Sequence, residues 1–170
     1  MLFVQRRTGR YGRPFNFFKF RSMSYSPQHV EVHRQYVRQY ANGDEGAEAT
    51  NGVHKPLNSG LVITRVGKVL RQTSLDELPQ LWNVLLGNMS LVGPRPPIPY
   101  EVDLYQPHHH DRLRTIPGLT GWWQVKGRSA TSFEEMVRMD VEYIQQQSLW
   151  LDIKIIVMTV TAAMNGKGAR

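Results

Sequence analysis

Pro94, Pro96, Pro97 and Pro99, four prolines within six residues, constrain this chain more than any other feature. Each fixes its own φ and keeps the preceding residue out of helical geometry, so the segment must be extended and rigid. Arg95 is locked between two of them, at the end of Leu91-Val92-Gly93-Pro94-Arg95-Pro96. Upstream, Thr73-Ser74-Leu75-Asp76-Glu77-Leu78-Pro79-Gln80 places two adjacent carboxylates where a helix should begin, with Arg71 just before them. Vicinal acids among guanidinium groups suit phosphate chemistry. One acid attacks or holds a metal while the arginines neutralise phosphoryl oxygens.

Two local readings of the acidic pair stay open. Ser74 and Glu77 have the spacing of a capping box, which would put Asp76 in a first turn near the positive end of the helix dipole. Pro79 opposes that, because a proline so deep in a helix clashes with an earlier carbonyl. The helix would then begin near Pro79 and run to Leu86 with Gly87 as its stop, leaving Asp76 and Glu77 solvent-facing on the entry turn. The plain alternative is that the acids only cap a helix.

A chain of 170 residues, 41% hydrophobic and 21% charged, points to one folded domain with a real core. Its 21 basic against 14 acidic residues give a net charge of +7. That balance favours an anionic partner: nucleic acid, an anionic membrane or a phosphorylated substrate. Within residues 1–40 the bases are Arg6, Arg7, Arg10, Arg13, Lys19, Arg21, Arg34 and Arg38, against Glu31 alone. With no cysteine, disulfides, thiolate nucleophiles and cysteine-bound zinc are excluded. The arginines near Met1 precede no apolar signal core, and the run Ile155–Met164 is far shorter than the ~20 residues a spanning helix needs.

Gly9–Pro14 has turn chemistry and Phe15–Phe20 reads as a strand, so the N-terminal end is expected to be a basic hairpin whose phenylalanines enter a core rather than stack bases. His29–Tyr40 reads as a polar helix, Ala41–Gly60 as a loop and Thr64–Leu70 as renewed order. A short apolar helix is expected over Leu78–Leu86, another helix over Val102–Arg114, and a strand over Gly121–Gly127 with Trp122 and Trp123 on opposite faces. Ser132 with Glu135 caps a helix to Ile144, and a second runs from Trp150 to Met164, stopped by Asn165-Gly166. On it, Trp150, Ile153, Val157 and Val160 form an apolar stripe that faces either a membrane or the core. The fold class expected is α+β, helix-dominated, as one domain over 1–170 with residues 24–60 variable and partly loop.

Other motifs carry little. Consecutive residues point in different directions, so His108-His109-His110 is a poor metal site. Gly9-x-x-Gly12 and Gly166-Lys167-Gly168 lack phosphate-loop spacing, and no Gly-x-Ser-x-Gly elbow exists.

Taken in order, the motifs resemble those of the bacterial sugar transferase family, the monotopic polyprenyl-phosphate phosphoglycosyl transferases. They are Val4–Arg10, Lys19–Met23, Thr64–Val84, Met89–Pro96 and Pro117–Val125. The tail Ser148–Lys154 is similar to the hexose-1-phosphate-transferring branch, and only residues 24–60 fall outside the likeness. The resemblance implies transfer of a sugar-1-phosphate from a nucleoside diphosphate sugar, a UDP-hexose, to polyprenyl (undecaprenyl) phosphate, initiating surface or exopolysaccharide synthesis. It implies Asp76 as covalent nucleophile, with Glu77 beside it holding Mg²⁺ and Asp76 as the second metal residue. Arg71, Arg95, Lys19 and Arg21 would bind phosphate, and Pro94, Pro96, Gln124 and Arg128 would line the nucleotide-sugar pocket.

Family members carry a hydrophobic membrane-inserted helix before the segment matching Leu2-Phe3-Val4, where this chain has Met1. The expectation is peripheral association with the cytoplasmic face of the bacterial inner membrane, through a membrane-facing surface and a separate anchoring segment or subunit. Two other readings compete. One is a basic nucleic-acid-binding domain, which leaves Asp76-Glu77 and Pro94-Arg95-Pro96 without a role. The other is an inactive scaffold remnant of the same family.

Overall fold

A computed structural model describes residues 1–23, 27–41, 64–126 and 131–164. Strands β1 (Leu2–Thr8) and β2 (Pro14–Phe20) form the expected antiparallel hairpin, in register from Leu2 opposite Phe20 to Thr8 opposite Pro14. Alternation along β2 sends Phe15 and Phe17 into a small core with Met89. These two rings are therefore core residues, and the structure gives the nucleic-acid reading no stacking platform from them. The loop Ala41–Gly60 lies outside the described residues beyond Ala41, as do the stop at Asn165-Gly166 and Arg128.

Helix α1 (Pro27–Ala41) carries the expected polar helix, and α2 (Arg65–Gln72) is capped by Thr64, whose hydroxyl accepts the Gly67 N–H at 2.9 Å. Gly67 is required there by contact: a Cβ would stand 1.9 Å from the Ser22 carbonyl oxygen. Helix α3 (Gln80–Leu85) follows Pro79, and Gly87, at φ 74, ends it in the left-handed geometry expected of a stop. Asn83, fully buried on α3, donates to the Asn16 carbonyl at 2.7 Å and accepts the Phe18 N–H at 3.1 Å. One side chain thus pairs with the β2 backbone as another strand would, fixing the hairpin against α3.

The proline-rich segment is extended and then enters a single helical turn, α4 (Pro99–Val102). The helix expected over Val102–Arg114 is instead broken. Pro107 cannot continue α4, and Pro107–Arg114 adopts a 3₁₀ helix. Short parallel strands β3 (Ser90–Val92) and β4 (Gly118–Thr120) pair beside it.

The strand expected over Gly121–Gly127 is a correction: Trp122–Lys126 is a short helix, α5, and both tryptophans are buried. Successive helical positions diverge by about 100°, so Trp123 enters the core of Tyr36, Val37, Tyr40, Phe133, Met136 and Val137. Trp122 enters a second core with Val92, Tyr143 and Ile155.

Helix α6 (Phe133–Gln146) begins at the expected cap, with the Ser132 hydroxyl accepting the Glu135 N–H at 3.2 Å. Helix α7 (Leu149–Met164) packs Ile155 inward and leaves Trp150, Ile153, Val157 and Val160 exposed. The stripe therefore faces away from the described core. No helix among the described residues is long and apolar enough to cross a membrane. Helices dominate one compact domain, with a small hairpin and a short parallel sheet, as expected.

Candidate active site

The acidic pair sits on a turn that neither sequence reading described fully. Ser74 closes α2 in the left-handed region, φ 56 and ψ 15, and its side chain caps nothing. The capping box is therefore not formed, and Leu75–Glu77 makes a 3₁₀ turn of its own before Pro79 opens α3. A serine held there stores on the order of 1–3 kcal/mol of backbone strain, tolerated when the surroundings over-determine it. Those surroundings are visible: the Thr73 hydroxyl bonds to the Val69 carbonyl at 2.8 Å, and the Ser74 carbonyl accepts the Glu77 N–H at 3.2 Å.

Asp76 is not solvent-facing, as the entry-turn reading expected, but buried, at 4% exposure. The cause is β2, brought over the turn by the Asn83 bridge, which carries Lys19 to 3.1 Å from Asp76 Oδ2. Glu77 is partly buried, and its carboxylate has no hydrogen-bond or ion-pair partner among the described residues. Among the described residues Arg71, in the last turn of α2, donates only to the Met23 sulfur, at 3.1 Å, a weak acceptor that leaves the guanidinium fork largely free. Arg95 is partly buried in the Pro-Arg-Pro turn; burial lowers its pKa, opposed first by the charge of Glu77 and then by that of Glu101.

The structure thus brings Lys19 to the acidic pair directly and couples Arg95 to it electrostatically. Arg21 lies exposed just beyond β2, with no side-chain hydrogen bond or ion pair among the described residues. Pro94 and Pro96 are buried. Gln124 stands on α5 with its Oε1 buried and unpartnered, against Gly121.

Sequence reasoning missed a buried ionic network beneath the Pro-Arg-Pro turn. Arg112 pairs with Asp140 at 2.7 Å and Glu101 at 3.4 Å, and donates to the Tyr105 hydroxyl at 2.8 Å and the Arg95 carbonyl at 3.4 Å. Burial alone would lower the Arg112 pKa, yet Tyr105, Asp140 and Glu101 together hold it above its ordinary value. Arg112 lay inside a segment read as an ordinary helix, and no local pattern marks it.

The histidine triplet also has a partner that spacing alone did not reveal. His108 and His109 converge on Glu134, at 3.1 and 2.7 Å. His109 Nδ1 accepts the Gln106 N–H at 3.0 Å, so its Nε2 must carry the proton and donate to Glu134. That tautomer makes the cluster a clasp between the 3₁₀ helix and α6 and withholds the lone pair a metal would need.

The geometry can be set beside known proteins. A family model described as bacterial sugar transferase matches residues 1–166. The chain belongs to the bacterial sugar transferase family. It is 42% identical over 174 residues to the galactosyl transferase CpsE of Streptococcus agalactiae, covering 99% of this chain and 36% of that protein. It is 39% identical to the undecaprenyl-phosphate galactose phosphotransferase of Salmonella typhimurium, over 99% of this chain and 34% of that protein. It is 40% identical to the UDP-glucose:undecaprenyl-phosphate glucose-1-phosphate transferase of Xanthomonas campestris, over 99% and 32%. The chain therefore spans about a third of the length of these relatives. Every motif quoted above as carrying the sugar transferase likeness falls within the matched residues, the acidic pair and the Pro-Arg-Pro turn included.

Proposed function

We propose that the chain is a catalytic domain that transfers a hexose-1-phosphate from a UDP-hexose to undecaprenyl phosphate, the first step of a surface or exopolysaccharide. One observation carries the reading: Asp76 is buried and paired with Lys19 at 3.1 Å, on a turn whose neighbours Leu75, Leu78, Leu81 and Trp82 are exposed. A charged nucleophile lies at the foot of an apolar rim, which suits a phosphate carried on a lipid.

In the first step Asp76 Oδ1 attacks the phosphorus bearing the sugar. The bond from that phosphorus to the bridging oxygen breaks, and UMP leaves with the electron pair. The phosphate oxygen of the lipid then attacks the same phosphorus, the aspartyl–phosphorus bond breaks, and the carboxylate is restored. Lys19 holds Oδ2 so that Oδ1 faces the substrate. Arg71 and Arg95 take up phosphoryl oxygens, Arg21 guards the outer rim, and Gln124 with Pro94 and Pro96 borders the nucleotide. Glu77, with Asp76 beside it, offers hard oxygens that fit Mg²⁺, which binds one or two carboxylates alongside substrate phosphates. When bound, the ion would neutralise phosphate charge.

The apolar rim, with the exposed stripe of α7, would rest on the cytoplasmic face of the inner membrane as a peripheral contact, beside any anchor outside these residues. The deciding experiment incubates the protein with radiolabelled UDP-galactose and UDP-glucose, Mg²⁺ and undecaprenyl phosphate in detergent. Label extracted into the lipid phase and UMP released in equal amount support the reading. UDP released in place of UMP would mean glycosyl transfer instead and sink it.

A further inference from the structure

Arg7 is a buried cation that the chemistry above leaves unused. It lies on β1 at 8% exposure, and among the described residues no carboxylate oxygen stands within ion-pair distance. Its Nη1 donates to the Pro96 carbonyl at 3.0 Å and its Nε to Gln5 Oε1 at 3.1 Å, while the guanidinium sits over the Phe17 ring at 5.2 Å. Burial, and after it the charge of Arg95, lowers its pKa to about 9, so it remains charged at neutral pH. A desolvated cation is a costly way to supply one donor to a carbonyl, when the backbone N–H of the neighbouring Thr8 already bonds to Pro97 O at 2.9 Å.

The surroundings show what the charge faces. Arg7, Arg95, Pro96, Pro97, Glu101 and Arg112 line a cavity of about 10 Å³, room for one water and none for a phosphate. Arg7 therefore cannot touch substrate through it. Arg112 holds the Arg95 carbonyl and Arg7 holds that of Pro96, so the two successive carbonyls that follow the Arg95 Cα are each held by a guanidinium. Both charges repel the Arg95 side chain. Of the acids that attract Arg95, Glu101 is already engaged by Arg112 and Tyr105 and Asp76 by Lys19, which leaves Glu77.

We infer that Arg7 is a positioning residue. With Arg112 it pins the backbone of the Pro-Arg-Pro turn, and so fixes the seat from which Arg95 reaches the diphosphate. The inference rests on the proposed nucleotide-sugar reading.

The test is a mutant cycle with UDP as probe, read by titration calorimetry on the whole chain: wild type, Arg7→Met, Arg95→Met and the double variant. Arg7→Met and Arg95→Met are each expected to weaken UDP binding on the order of tenfold or more. The double variant should bind no more weakly than Arg95→Met, since residues acting as one unit are non-additive. A purely structural role for Arg7 would instead add its loss to that of Arg95, and that result overturns the inference, as does UDP binding unchanged in Arg7→Met. If Arg95→Met alone binds UDP as wild type does, the nucleotide reading of this turn fails and the role of Arg7 with it. Should Arg7→Met not fold, Arg7→Lys replaces it in the same cycle. It keeps the charge but not the fork, and is expected to fall between wild type and Arg95→Met.

Discussion

At the scale of single residues, the site depends on how buried charges are matched. Asp76 keeps one oxygen on Lys19 and, among the described residues, one free, so Asp76→Asn removes the proposed nucleophile while preserving shape. Transfer should vanish and the folded state persist; trapping of labelled phosphosugar on wild type but not on the variant is the check, and full activity in the variant would remove Asp76 from the reaction. Glu77, without a hydrogen-bond or ion-pair partner among the described residues, has its oxygens available for a cation. Excess EDTA should therefore stop transfer and added Mg²⁺ restore it, and turnover undiminished by EDTA would rule the ion out. Arg112 shows the other use of buried charge. Arg112→Met leaves Glu101 and Asp140 without their cation and should cost about 3–5 kcal/mol in urea denaturation. The triple variant Arg112→Met, Glu101→Gln, Asp140→Asn should recover most of that loss; no recovery would mean that Arg112 stabilises mainly by packing.

At the scale of elements, two short pieces set where those residues stand. Helix α2 rests its Gly67 on the Ser22 carbonyl, so Gly67→Ala must push the helix away and carry Arg71 with it. Overpacking of this kind costs roughly 1–3 kcal/mol. Activity should fall by more than the lost stability explains, and an unimpaired Gly67→Ala enzyme would show that Arg71 does not depend on this seat. How far such elements could be read from sequence follows from the range of the forces that make them. The start of α6 was legible because Ser132 and Glu135 make their bond within one turn. Helix α5 was not: a five-residue segment between glycines is too short to show a period, and two separate cores decide its shape. The acidic pair and its arginines were legible as residue types in order. The burial of Asp76 was not, because it arises where Asn83 joins α3 to a strand more than sixty residues earlier in the chain. Arg7 and Arg112 were hidden for the same reason.

At the scale of the whole molecule, a basic protein of net charge +7 leaves large apolar side chains in water. On α3, Trp82 is 59% and Leu85 78% exposed, and on α7 Trp150 is 80% exposed. Fully burying side chains of this size is worth roughly 1.5–3 kcal/mol each, and each lysine or arginine near an anionic surface adds about 1 kcal/mol at modest ionic strength. Neither contribution alone holds a protein firmly to a bilayer, whereas several of both together do. Binding to vesicles containing anionic lipid should therefore be strong at low salt and weaken as salt screens the charges. Trp82→Glu with Leu85→Glu should lower it at every salt concentration while leaving UDP binding intact, because these exposed side chains are not among those assigned to the nucleotide. If instead the double variant binds vesicles as wild type does, the rim around Asp76 is not the contact, and the exposed stripe of α7 becomes the surface to alter next. Loss of lipid-linked product together with unchanged UDP binding in that variant would tie the apolar rim to delivery of the lipid phosphate rather than to the nucleotide half of the reaction.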